Sequence, residues 1–141
     1  MSTVPAGIID CDIHPSPRSS ADLEPWLERR WIEHLRSYGA LRATHYPVGA
    51  PYHKSQPNAS RRDAWPPEGG PQGSSLSFMQ SQHLDANGIA TGILSPLISA
   101  QGVRNLDLSI ALCRAVNHWQ AEVWADKEPR LKASIAVPYE D

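Results

Sequence analysis

The chain has 141 residues, a formal net charge of −2 and a pI of about 6.3, with 40% hydrophobic and 20% charged residues. That balance suits a folded domain and offers neither the basic stripe of a nucleic-acid binder nor the polybasic run of a membrane-surface protein. No apolar run approaches the roughly 18 residues of a membrane span, and residues 1–10 do not read as a secretory signal. Cys11 and Cys113 lie too far apart to read as a disulfide framework, so the expectation is a cytoplasmic protein with reduced thiols.

Residues 1–7 are small or polar and read as an arm. Ile8-Ile9-Asp10-Cys11-Asp12-Ile13-His14 is an alternating, β-branched run stopped by Pro15-Ser16-Pro17, the pattern of a strand ending in a turn. Leu23, Leu27, Trp31, Leu35 and Tyr38 recur at helical spacing and predict a helix over 20–38, with Gly39 as its stop. Pro25 either sits in the first turn of that helix or splits off a short leading turn. Residues 40–74 hold Pro47, Pro51, Pro57, Pro66, Pro67 and Pro71, which localises a long irregular excursion. A second helix is predicted over 75–87, with Leu76, Met79, His83 and Leu84 on one side and Asn87-Gly88 closing it. Ile89 to Leu94 reads as a short strand. Asn105 is a plausible N-cap for a long helix reaching about Ala125, and Leu131 to Val137 reads as a third strand. Strands alternating with helices predict an α/β chain with a parallel sheet.

The first strand carries the chemistry. Side chains alternate faces along a strand, so Asp10, Asp12 and His14 are expected on one face and Ile9, Cys11 and Ile13 on the other, packed against helices. Two carboxylates and an imidazole on one face are costly to bury unless something uses them. A divalent cation would, because Asp oxygen and His nitrogen are ordinary ligands of zinc and manganese. Asp12 and His14 also fall at the C-terminal end of the strand, where α/β barrels place their sites. Spacing alone leaves open a surface turn in which Asp12 caps local backbone and His14 is solvated.

Ile9-Asp10-Cys11-Asp12-Ile13-His14 resembles the opening strand of the amidohydrolase superfamily, in the branch that contains aminocarboxymuconate-semialdehyde decarboxylase and related nonoxidative decarboxylases. Three further segments resemble that branch in order: Arg61-Arg62-Asp63-Ala64-Trp65-Pro66-Pro67 its lid insertion, Leu84 to Pro96 its second strand with the lead-in, and Pro129 to Pro138 its third strand. The resemblance implies a partial (β/α)8 barrel of about three parallel strands with flanking helices and a lid insertion over about 40–74. It implies a divalent metal, zinc first and manganese second, held by Asp12 and His14. Asp10, one layer deeper, would support His14 or the strand. Arg61, Arg62 and Trp65 would face a small organic acid, amide or lactone from the lid. The same lid cluster also reads as a solvated loop.

The family closes an eight-stranded barrel of about 250 residues. Its remaining metal-binding histidines and its acid–base aspartate belong to later strands, so no catalytic residue is expected within these residues. His34, His45, His53, His83 and His118 match no family ligand and read as solvated or structural. The expectation is therefore a metal-dependent hydrolase or decarboxylase fragment, inactive alone, that forms a homo-oligomer or needs the missing barrel half. The competing reading is a noncatalytic α/β module that self-associates through exposed strand edges.

Overall fold

The computed structural model describes residues 7–40, 61–98 and 100–138. Three parallel strands, β1 (Ile8–Ile13), β2 (Ile89–Leu94) and β3 (Leu131–Ala133), form one sheet in the order β1-β2-β3. Helices flank it: α1 (Arg29–Tyr38), α2 (Leu76–Met79) and α3 (Leu106–Gln120). Both α2 and α3 widen into π-type turns, over Gln80–Asp85 and Ala121–Ala125 respectively. This is the α/β architecture the sequence predicts, with successive parallel strands arranged as in an arc of a barrel. Among the described residues no helix is long and apolar enough to cross a membrane.

Two elements differ from their predicted extent. The helix expected over 20–38 comes in two pieces, a 3-10 segment Ser20–Trp26 that contains Pro25, and α1. Proline lacks the N–H an α-helix needs and crowds the carbonyl four residues back, and Leu27 then turns extended at φ −110°, ψ 139°. Gly39 stops α1 with φ +67°, a conformation that favours glycine. The third strand ends at Ala133 because helix α3 takes over its backbone. Asn117 Nδ2 donates to the Ala136 carbonyl at 2.9 Å, and the Ala136 N–H donates to Asn117 Oδ1 at 2.8 Å. Gln120 Nε2 donates to the Ser134 carbonyl. The Ser134 N–H still reaches the Leu94 carbonyl at 3.2 Å, but the Ala136 N–H and carbonyl beyond it are spent on the Asn117 amide.

The core lies between the sheet and α3. Leu84, Ile89, Leu94 and Leu131 meet Leu108, Leu112, Ala115, Val116, Trp119 and Trp124. Trp119 and Trp124 pack edge-on, with ring centroids 6.1 Å apart. Each such aliphatic or aromatic side chain contributes roughly 1.5–3 kcal/mol when fully buried. The predicted N-cap is present, Asn105 Oδ1 accepting from the Leu108 N–H at 3.0 Å.

Strand β1 corrects the simple alternation. Ile13 is buried, but Ile9 is 63% exposed and Cys11 is exposed, so the expected apolar face is not packed against helices along its length. Its partners on β2 are Ile8↔Ile89, Ile9↔Thr91, Asp10↔Gly92 and Ile13↔Leu94. From Asp10 to Ile13 the chain takes three steps (13 − 10) where β2 takes two (94 − 92). With the opposite slip between Ile8 and Ile9, where β2 takes two steps to one, this makes a bulge-like irregularity, and such an irregularity resets which way the following side chains point.

Candidate functional site

A cavity of about 370 Å³ opens beside β1 and α2, lined by Asp10, Asp12, His14, Arg61, Phe78 and His83 among others. The three residues singled out on the first strand thus share one cavity. Ile13 lines it as well, which strict alternation forbids and the bulge permits.

His14 is fixed from behind. Its Nδ1–H donates to the Ser95 carbonyl at 2.7 Å, in the loop that follows β2. The Ser95 N–H donates to the Ile13 carbonyl at 2.7 Å, so the two strand ends are stitched together at this point. The tautomer follows from the carbonyl, which can only accept. In the neutral ring Nε2 then carries the lone pair, and it lies 3.4 Å from Asp12 Oδ1. Two acceptors facing each other at that distance repel unless a cation or a proton lies with them.

Asp10 supports the strand rather than His14. Its Oδ1 accepts the Asp12 N–H at 3.0 Å, and its Oδ2 accepts from His83 Nε2 at 2.7 Å. Burial pushes the Asp10 carboxyl up, but the bonds from Asp12 and His83, with the charges of His83 and His14, outweigh it and hold it below the usual carboxylate value.

The lid trio divides. Arg61 lines the cavity, yet its guanidinium is paired with Asp63, Nε donating to Oδ1 at 2.9 Å. Trp65 is 39% exposed and is not among the lining residues. Arg62 starts a short 3-10 turn with Asp63 and Ala64, and its side chain lies outside the described residues, as do His45, His53 and the lid span 41–60. The far wall comes from Gln72 and Gly73. Gly73 has φ +72°, and a Cβ there would collide with the His14 carbonyl oxygen, so only glycine lets this loop close on the end of β1.

His83, which the sequence reads as solvated or structural, also faces this cavity. Ser75, Phe78, Met79, Gln82 and His83 all line the cavity. Their spacings of three, one, three and one are those of a single helix face. That spacing was the available signal. What it could not supply was the partner, because Asp10 lies 73 positions away. His34 and His118 stand on helices as expected, His34 against Trp31 and Tyr38 and His118 beside Glu122.

A family model described as Amidohydrolase matches residues 9–141. The chain belongs to the amidohydrolase family. No curated protein matches it. For an amidohydrolase the position is apt: His14 and the Ser95 loop follow the C-terminal ends of β1 and β2, the side on which α/β barrels carry their chemistry. Membership supports a hydrolase-type enzyme. Such enzymes commonly use divalent metals, and the donor set fits one in part. Zinc bonds of roughly 2.0–2.2 Å in a tetrahedron put neighbouring ligand atoms roughly 3.4 Å apart, and Asp12 Oδ1 and His14 Nε2 stand 3.4 Å apart. Among the described residues no group of three or more His, Cys, Asp or Glu is arranged to hold a metal ion.

Proposed function

We propose that this amidohydrolase is metal-dependent, with Asp12 and His14 contributing two ligands to a divalent ion, zinc first and manganese second. The observation that carries the reading is the locked His14 ring, whose Nδ1 is held by the Ser95 carbonyl while Nε2 faces Asp12 Oδ1. A backbone carbonyl behind a histidine is the usual support of a metal-binding imidazole. When bound, the ion supplies Lewis acidity toward a substrate oxygen. The chain's own residues do the rest. Asp12 and His14 orient the ion, Phe78 and Met79 give the cavity an apolar wall, and Arg61 offers a guanidinium to a substrate carboxylate once Asp63 is displaced.

The substrate class is a small organic acid, amide or lactone. The reaction is hydrolysis or nonoxidative decarboxylation, in keeping with the resemblance to the aminocarboxymuconate-semialdehyde decarboxylase branch. The other ligands and the acid–base aspartate would come from residues outside this segment, so the isolated segment is proposed to be inactive. The test is an assay of zinc- and manganese-loaded protein, alone and joined to the remaining strands of a related barrel, on a panel of unsaturated and aromatic acids and lactones. Turnover only in the joined protein, lost in Asp12→Ala, is the expected result. Equal turnover with and without Asp12 contradicts the reading.

A second reading, a module that self-associates through its strand edges, is favoured by Ile8, Ile9, Ile135 and Val137, which are all exposed on the outer strands or just beyond them. Light scattering separates the two: a homo-oligomer that binds no metal favours this second reading.

A further inference from the structure

We propose that His83 is a positioning residue for the metal pair, acting through Asp10 on the bulge of β1. The inference rests on the metal-dependent reading above. The links run in sequence. Asn87 Nδ2 donates to the His83 carbonyl at 2.8 Å and lies 3.4 Å from His83 Nδ1, so the amide meets the ring on its acceptor side and leaves the proton on Nε2. Nε2–H then donates to Asp10 Oδ2 at 2.7 Å. The other oxygen of Asp10 accepts the Asp12 N–H at 3.0 Å.

That last bond is local, from a side chain to the backbone two residues on, and such bonds compete with the sheet ladder. It falls inside the stretch from Asp10 to Ile13 where β1 takes its extra residue. The Asp12 N–H is spent on Asp10, so the strand bulges there instead of running on in register. The bulge is what lets Asp12, Ile13 and His14 all reach one cavity.

Asp10 could in principle swing away, because its oxygens stand on a short, rotatable side chain. His83 removes that freedom. It projects from the π-type turn after α2, one turn beyond Met79, and α2 is anchored to the core through the fully buried Leu84 that follows it. A helix packed on the core thereby holds a carboxylate that in turn holds the backbone of a metal ligand. The imidazole itself binds nothing else among the described side chains apart from Asn87.

The experiment compares His83→Phe, which keeps a ring and removes the donor, with His83→Gln, whose amide nitrogen can reach the place of Nε2. Zinc affinity is measured by competition with a chromophoric chelator, and the Asp12 amide proton shift by NMR on metal-free protein, with Asp12→Ala and His14→Ala as controls. The expected result is a loss of roughly 10- to 100-fold in zinc affinity for His83→Phe, an upfield move of the Asp12 amide proton in the same variant, and recovery of both in His83→Gln at matched melting temperature. An unmoved amide shift and unchanged affinity in His83→Phe, while the two controls lose zinc, overturns the positioning role alone. Controls that bind zinc as the parent does overturn the metal reading and this inference together. Loss in both His83 variants alike assigns His83 a packing role and also overturns the proposal.

Discussion

Two clusters of charge flank the sheet, and they are built on opposite plans. Where the chain enters β3, Glu128 is buried and fully answered. Arg130 donates to it from Nε and Nη2 at 2.8 Å each, Gln80 Nε2 donates at 2.9 Å, and Arg130 Nη1 reaches Asp85 at 2.8 Å. Toward the other end of β1, Asp10 is answered by His83 and Asp12, but Asp12 Oδ1 and His14 Nε2 are left facing each other across 3.4 Å at the cavity. A cluster whose acceptors all have donors pins two chain segments and adds stability. A cluster that leaves two side chains aimed at one point fits the binding site proposed above. On the proposed reading the difference separates structural charge from functional charge within one small sheet, in line with the division of α/β barrels into a stabilising and a reactive end.

The largest effect is expected at His14. His14→Ala is expected to lower zinc affinity at least about 100-fold, or about 2.7 kcal/mol, with the denaturation midpoint of metal-free protein nearly unchanged. Calorimetric titration beside urea unfolding reads both quantities. A large loss of stability with no loss of zinc would put His14 in the structural class.

Glu128→Gln should do the converse. It removes the carboxylate that Arg130 and Gln80 share and is expected to cost about 2 kcal/mol in urea unfolding, with zinc affinity unchanged. The pH dependence follows from the same group. The Arg130 hydrogen bonds outweigh the opposing effect of burial and, helped by Gln80, hold the Glu128 carboxyl at about 2, against 4.5 for the unperturbed group. A depressed acid contributes stability that is fully present above the unfolded value and drains away as pH falls toward the folded one. The parent should therefore lose stability between about pH 4.5 and 2 more steeply than Glu128→Gln, as read by thermal melts across that range.

The smallest effect sharpens the comparison at β3. Asn117→Ala removes both bonds to Ala136 and is expected to cost about 1 kcal/mol, with faster amide exchange at Ala136 and no change at the Asp12 amide.

What was legible in the sequence was whatever depends on neighbours in the chain. The alternating run at Ile8–His14, the Asn105 cap and the apolar faces of α1 and α3 are local patterns, and the structure carries them as strands and helices in the predicted order. Asp12 and His14 could be picked out because two residues of spacing put them near each other on any strand. The bulge was not legible, since it arises from an Asp10 side chain competing for backbone and from pairing with a strand some eighty positions away. The partner of His83 was hidden for the same reason: its helix phase was visible, its carboxylate partner was not. The truncation of β3 depends on Asn117 and Gln120, which look like ordinary polar positions on α3 until the chain beyond Ala133 is laid over them.

If Asp12 and His14 hold the metal, zinc-edge X-ray absorption sees it at the ion itself. Protein loaded with one equivalent of zinc should show nitrogen and oxygen neighbours only, with the outer-shell scattering of one imidazole, and that imidazole signal should vanish in His14→Ala. A spectrum with a sulfur neighbour, as from the exposed Cys11 thiol, or an imidazole signal that survives in His14→Ala, would contradict the account.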